Sequence, residues 1–533
     1  MKKKHIIFMI GIMVSLAACG KNTNEMNKSQ ELDKYQITDE VYESESTELY
    51  TEKADEIISE IEVINEEETI NEMISDANQE VNNESCEMLV VFSDKTSNIL
   101  PVGMNNLGET FIDFSEFPQL EENIKTISKY SIVDDTYEII DIQRADREVY
   151  SYLKKNIKFE DSERKYLNFE CSNYDVNTGK ILTLDNIVAD KEKLQVVLAE
   201  QIKLYYSEDE FSVSTDVIAA GLCDENRCKW NLGYQGLTFY IDSSFTKSKD
   251  SAYMPVIVPF GDYSDLYEKK YVQVPERYSI DVDVHNTFIY DVTNDNKPDK
   301  INVEYEATSY GSIQSLSIKV NDIFKDIEIS NLGEELNAND IKCNIVQTDE
   351  GKKILYISTS YMLDGLDYGV AIEVTDTGIN ILNQDAGLNI GASVVTDPSY
   401  IVCKGYSSLL GNIWDFATAT CWKIQSDGQV IKNTQEEHFI KNDLKVEICQ
   451  DISVDKLNQN DNSIIEKNLN LKVGTILTPV RTDNATYVDF VDENGDMYRI
   501  DFELIYSEDY GYIGSINGLN VDEYMKVVMG TEL

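Results

Sequence analysis

Beyond its first 18 residues the sequence has no apolar run long enough to span a bilayer, which takes about 20 residues. Positive charge is scarce: 46 Lys and Arg stand against 97 Asp and Glu, a net charge of −51. That balance argues against nucleic acid as a partner, because phosphates are held by Lys and Arg. It also argues against adhesion to anionic lipid. A basic partner or a divalent cation is attracted instead, and the same acidity keeps a protein soluble. Histidine is rare, with three in the chain, of which only His285 and His438 follow the first 18 residues. The sequence lacks a G-x-S-x-G elbow, an H-E-x-x-H pair and a phosphate loop, so it carries no signature of the enzymes built on them. Carboxylates are so numerous that no catalytic pair of the glycosidase kind stands apart. Nine cysteines in 533 residues are too few for a disulfide-built scaffold. Cys223 and Cys228 in "GLCDENRCKW" are spaced to close a short disulfide loop, with two thiols or a zinc knuckle as the other readings. The knuckle lacks a second CxxC or a histidine pair to complete four ligands.

The start of the chain is rich in what the remainder lacks. Lys2, Lys3 and Lys4 precede the apolar stretch Ile6 to Ala18, and Leu16-Ala17-Ala18-Cys19 follows. A positive start, a short apolar run and a small-residue cleavage site form a secretory signal. Its last four residues resemble the lipobox of bacterial lipoproteins. In that family the Cys19 thiol would receive a diacylglyceryl group, and cleavage would leave Cys19 first. Two acyl chains anchor a soluble domain stably where one does not. The expected location is the outer face of the cytoplasmic membrane, with the membrane as a partner only through the lipid. The mature chain would then carry −54, three lysines having been lost from a chain of −51.

Composition predicts a signal peptide over 1–18 and an acidic tether over 19–85. From Gly20 to Ser85 there are 20 acids, four lysines, three tyrosines and no proline, the composition of a solvated segment. Ile57, Ile61, Ile64, Ile70, Met73 and Ile74 hint at one amphipathic helix inside it. An α+β domain is expected over 86–278, a β-rich domain of hairpin or blade-like units over 279–435, and a small barrel of SH3-like type over 436–533. In the first of these, "FPQLEENIKTISKY" and "DKEKLQVVLAEQIKLYY" read as helices, the latter capped by Asp190 with Leu194, Val197, Leu198 and Ile202 on one face. "TYEIIDIQ", "REVYSYLKKN", "RKYLNFECSNYD", "GLTFYID" and "MPVIVPF" read as strands, and Gly179 turns the chain in "DVNTGK". Alternation in "RKYLNFECSNYD" places Leu167, Phe169 and Cys171 on one face. Further on, "NG" at Asn494-Gly495 predicts a hairpin.

The segments "FPQLEENI", "YDVNTGKILTLDNIV", "QGLTFYI" and "PVIVPFGDYSDL", in this order, resemble the extracellular domain of the lysozyme-sensing sigma-V anti-sigma factor. The resemblance covers roughly Leu107 to Tyr271, with Thr178-Gly179-Lys180, Leu182, Leu184 and Asp185 as its most specific part. It implies an α/β domain that binds a ligand at the cell surface, and it does not imply catalysis by that domain. Lysozyme is the partner the resemblance suggests.

Two acidic patterns suggest cations. In "DVTNDNKPDKI", Asp291, Thr293, Asp295, the Lys297 carbonyl and Asp299 fall at positions 1, 3, 5, 7 and 9 of a calcium loop, similar to those of FG-GAP-type repeats. Calcium takes six to eight oxygens at about 2.3–2.6 Å. Asn296 stands at the sharp turn, where a left-handed backbone is needed. The plainer reading is an acidic turn between strands. In "SIDVDVHN", Asp281, Asp283 and His285 would share one face of a strand, although same-face neighbours along one strand diverge. These residues lead to the expectation of a non-catalytic, lipid-anchored protein that binds a cell-wall or protein ligand. An envelope hydrolase acting on wall glycan or peptide is the alternative, and a lysozyme-binding protein the third reading.

Overall fold

The computed structural model describes residues 88–529 except 95, 106–107, 125–129, 134–135, 161–162, 225–227, 248–252, 309, 330–334, 362–366, 385–392, 415, 441–443, 460 and 508–510. The expected signal peptide, Cys19, the expected acidic tether with its amphipathic pattern, and Cys86 lie outside the described residues. Strand dominates the remainder, and the longer helices fall before residue 223.

β1 (Met88–Phe92), β2 (Val102–Asn105) and β3 (Thr110–Ile112) form a small antiparallel sheet. Helix α1 (Pro118–Ile124) follows, with Pro118 in its first turn, where a missing N–H costs nothing. The expected helix extended to Tyr130, but Tyr130 begins β4 (Tyr130–Val133). β4 pairs with β5 (Thr136–Ala145), then β6 (Val149–Glu160) and β7 (Glu163–Asp175). Asn156 and Ile157 pair with Asn168 and Tyr166, which leaves Leu167 as an extra residue. A bulge of this kind interrupts the two-residue period, and Leu167 is 48% exposed while Phe169 is buried. Gly179 adopts φ +66°, and a Cβ there would lie 2.6 Å from the Gln119 carbonyl oxygen.

After the single turn α2 (Leu184–Ile187) comes α3 (Lys191–Tyr205), where the Asp190 side chain accepts the Lys193 N–H at 2.9 Å. Leu194, Val197, Leu198 and Ile202 are buried as their spacing requires. They pack with α4 (Thr215–Leu222) against the sheet of β8 (Trp230–Leu232), β9 (Gly236–Asp242) and β10 (Tyr253–Pro259). Each such side chain contributes roughly 1.5–3 kcal/mol.

The chain then builds a sandwich. β11 (Tyr278–Val282), β16 (Lys342–Gln347), β17 (Lys353–Ser360), β18 (Asp367–Thr375) and β19 (Gly378–Gln384) make one sheet. β12 (Phe288–Tyr290), β13 (Asp299–Ala307), β14 (Ile313–Val320) and β15 (Ile323–Ile327) make the other. One core lies between them, and Val346, Ile354, Tyr356 and Ala371 face a second core with Ile401, Cys403 and Ile424. Two covered faces explain why β17 is buried almost throughout.

β20 (Ile401–Tyr406), β21 (Ala417–Ile424), β22 (Val430–Lys432), β23 (Glu437–Phe439), β24 (Leu444–Ile448), β25 (Ile452–Leu457), β26 (Ile464–Leu471), β27 (Ile476–Thr482), β28 (Tyr487–Asp492) and β29 (Met497–Asp501) belong to one large antiparallel sheet. β21 pairs with β23, so this sheet joins the stretches on either side of residue 435. The Asn494-Gly495 hairpin connects β28 and β29, with Gly495 at φ +84°. All these strands belong to the compact unit Ser85–Leu533.

Candidate functional site

The loop from Asp291 to Pro298 joins β12 to β13. Asn294 and Asn296 stand at φ 63° and 66°, which suits Asn, whose short polar side chain tolerates the left-handed region. Asp299 Oδ2 accepts the N–H groups of Val292 at 3.0 Å and Thr293 at 3.1 Å, and the Thr293 hydroxyl at 3.1 Å. Its Oδ1 accepts from Asn321 at 2.7 Å. Asp295 accepts the Lys297 N–H at 2.8 Å. Asp291 is buried, and its Oδ2 lies 3.1 Å from Lys353 Nζ at the start of β17. Its Oδ1 has no hydrogen-bond partner. The Asp299 carboxylate therefore closes the turn, and an ammonium stands against Asp291. Among the described residues no group of three or more His, Cys, Asp or Glu side chains is arranged to hold a metal. A calcium ion entering the loop would have to displace Lys353 and draw Asp299 away from its donors.

The second acidic pattern also meets a lysine. β11 ends at Val282, so Asp283 and His285 leave the strand's alternation. Asp281 Oδ2 accepts the Ile142 N–H of β5 at 2.8 Å, and its Oδ1 accepts from Asn344 of β16 at 2.9 Å. Asp283 Oδ2 lies 3.0 Å from Lys155 Nζ of β6 and accepts from the Tyr253 hydroxyl at 3.0 Å and Asn286 at 2.9 Å. Lys155 Nζ also lies 2.5 Å from Asp141 Oδ2. His285 turns to Tyr305, with Nδ1 3.3 Å from its hydroxyl. The three residues thus serve different partners. Burial foremost, then the like charges of Asp283 and Asp281, raise the Asp141 carboxyl above its usual range against the pull of Lys155. Burial opposes ionisation of Asp283 as well, but Lys155 first and His285 next hold it well below that range. This network joins β5 and β6 to the strand that opens the sandwich.

Cys223 ends α4 and is half-buried, as is Cys228. Residues 225–227 between them lie outside the described set. Burial, and then the neighbouring Cys228, push the Cys223 thiol up to about 11.

A cleft of about 310 Å³ opens beside the Lys155 network. Tyr206, Ile241, Tyr253 and Met254 are its apolar lining, of which Met254 is half-buried and the other three are buried. The Tyr253 hydroxyl is the one that donates to Asp283, so the buried network fixes that ring. The Tyr206 hydroxyl donates to the Pro255 carbonyl at 2.7 Å. Asp209 and Glu210, on the turn after α3, supply negative charge, while Lys247 and Lys300 supply positive charge. Ser212 N donates to the Phe245 carbonyl at 2.8 Å and ties that turn to the β9–β10 hairpin. Lys300 Nζ sits 4.6 Å above the Tyr206 ring, a cation–π contact. Among the described residues no His or Cys lines the cleft. Sequence reading missed it because its walls come from four separate segments. The one local signal was the pair of aromatics, Tyr206 and Tyr253, that pattern alone assigns to a core. The chain matches no protein-family model and no curated protein.

Proposed function

We propose that this chain is a lipid-anchored protein of the outer face of the cytoplasmic membrane that binds a ligand without transforming it. Cys19 carries the lipid, residues 19–85 form the tether, and the binding site is the cleft beside Tyr206 and Tyr253. In this reading 86–278 is an α+β domain of the kind that the sigma-V anti-sigma factor carries outside the cell. The β-rich stretch 279–435 and a small SH3-like barrel over 436–533 complete the molecule. The observation that carries the binding role is the cleft itself, a volume of about 310 Å³ lined by charges of both signs, which falls in the range of small-ligand sites. Helices α3 and α4 on a three-stranded sheet support the assignment of 86–278. The test is binding of soluble cell-wall fragments to the lipidated chain in detergent, with product analysis. Saturable binding without turnover, lost in Met254→Trp, which fills the cleft, is expected. Turnover of any fragment would overturn the non-catalytic reading. Binding that survives Met254→Trp would move the site elsewhere.

A further inference from the structure

Charges of both signs line the cleft. Acids outnumber bases 97 to 46, and many lysines are claimed by a carboxylate, such as Lys270 by Asp175 and Lys155 by Asp141 and Asp283. Among the described residues Lys247, Lys300 and Asp209 have no ion-pair partner, though all three line one cavity. Glu210, beside them, spends Oε1 on the Ser207 N–H at 2.8 Å. The hydroxyls of Tyr206 and Tyr253 are both donated into the protein, so these residues offer rings rather than polar atoms to a ligand. Lys300 is steered over one of those rings, which holds its ammonium in place.

We infer that the cleft binds a small zwitterion, a short peptide or amino acid with a free amine and a free carboxylate. The inference rests on the reading that the cleft is the ligand site. Asp209, Glu210 and Lys247 are exposed and Lys300 is half-buried, so a neutral sugar makes no use of their charge, whereas a molecule with charged ends gains charge-assisted hydrogen bonds from them. A simple anion would meet Asp209 and Glu210, and a simple cation would meet Lys247 and Lys300. Only a molecule bearing both signs meets both pairs, with its carboxylate toward the lysines and its amine toward the acids. The space amounts to roughly ten water molecules at ~30 Å³ each, the size of a dipeptide. Met254, with the edge of the Tyr206 ring, gives its side chains an apolar contact.

The experiment is isothermal titration calorimetry of the lipidated full chain in detergent, at about 0.15 M salt. The probes are alanyl-alanine, N-acetyl-alanyl-alanine amide and N-acetylglucosamine. Alanyl-alanine should bind saturably, and the capped dipeptide at least about tenfold more weakly, since each end loses a charge-assisted hydrogen bond. Lys300→Met and Asp209→Asn should each weaken alanyl-alanine by about tenfold, and Met254→Trp should abolish it. Circular dichroism and melting establish that each variant is folded; the capped-against-uncapped comparison needs no variant. Absence of alanyl-alanine binding overturns the inference. Equal binding of the capped dipeptide or of the sugar, lost in Met254→Trp, also overturns it while leaving the cleft as the ligand site. Alanyl-alanine binding indifferent to Met254→Trp overturns both.

Discussion

Lys353 and Lys155 lie about 200 positions apart in the sequence, and each supplies a cation to acids whose spacing suggested a metal. Neither lysine is near its acids in the chain, so the pairing was not legible there; the acid spacing was, and so was the left-handed turn at Asn296. Calcium can enter the Asp291–Asp299 loop only against the Lys353 ammonium. Lys353→Met should therefore show a larger calcium-induced rise in melting temperature than wild type. At about 100 times the dissociation constant the gain would approach roughly 2.7 kcal/mol. Scanning calorimetry with calcium and with chelator measures it, and equal shifts in the two proteins would show that the lysine is not the obstacle. His438 offers a second residue-scale test. Burial, then the Arg481 guanidinium, push its imidazole below the usual range, and its ring meets Phe92 edge-on at 5.8 Å. The unfolded chain takes up this proton near pH 6.5, the folded chain only at lower pH. The stability linked to His438 is thus fully present above about pH 6.5 and is lost as pH falls toward the folded value. His438→Gln should flatten the decline in unfolding free energy between about pH 7.5 and 5.5; an unchanged slope would assign the decline to other groups.

At the scale of elements, α3 separates local from tertiary contributions. Asp190→Ala removes one N-cap hydrogen bond and should cost about 1 kcal/mol. Leu198→Ala opens a cavity in the core it shares with α4 and β9 and should cost about 2–5 kcal/mol. Urea denaturation compares them, and equal costs would mean that the helix does not rely on its buried face. The ends and face of α3 were legible because a cap and a 3.6-residue period are properties of one segment. The Leu167 bulge was not, because strand register is decided jointly with β6. A larger effect is expected where β5 and β6 meet β11. Lys155→Met leaves Asp141 and Asp283 buried without their cation and should destabilise by about 3–5 kcal/mol. Adding Asp283→Asn to that variant should recover part of the loss, since one buried charge is then removed. No recovery in the double variant would show that packing of the lysine stem, not its charge, is what counts.

For the whole molecule the test is location. Cys19→Ser should turn a detergent-phase protein into one that is released or kept as precursor, and unchanged partitioning on phase separation would exclude the lipid anchor. The acidic balance and the alternation of helix and strand patterns were properties of the sequence by itself, and the proposed lipid address rests on the sequence alone. They arise from local chemistry: charge is a sum over residues, and periodicity needs only near neighbours. Which acids meet which lysines, which faces of β17 are covered and where a cleft opens were decided by tertiary structure alone. Tyr206, Ile241, Tyr253 and Lys300 become neighbours only when the β9–β10 hairpin, the end of α3 and the start of β13 pack together. The physical reason is that a cavity and an ion pair are relations between distant segments, and such relations are settled by competition for one core rather than by the residues of any one stretch.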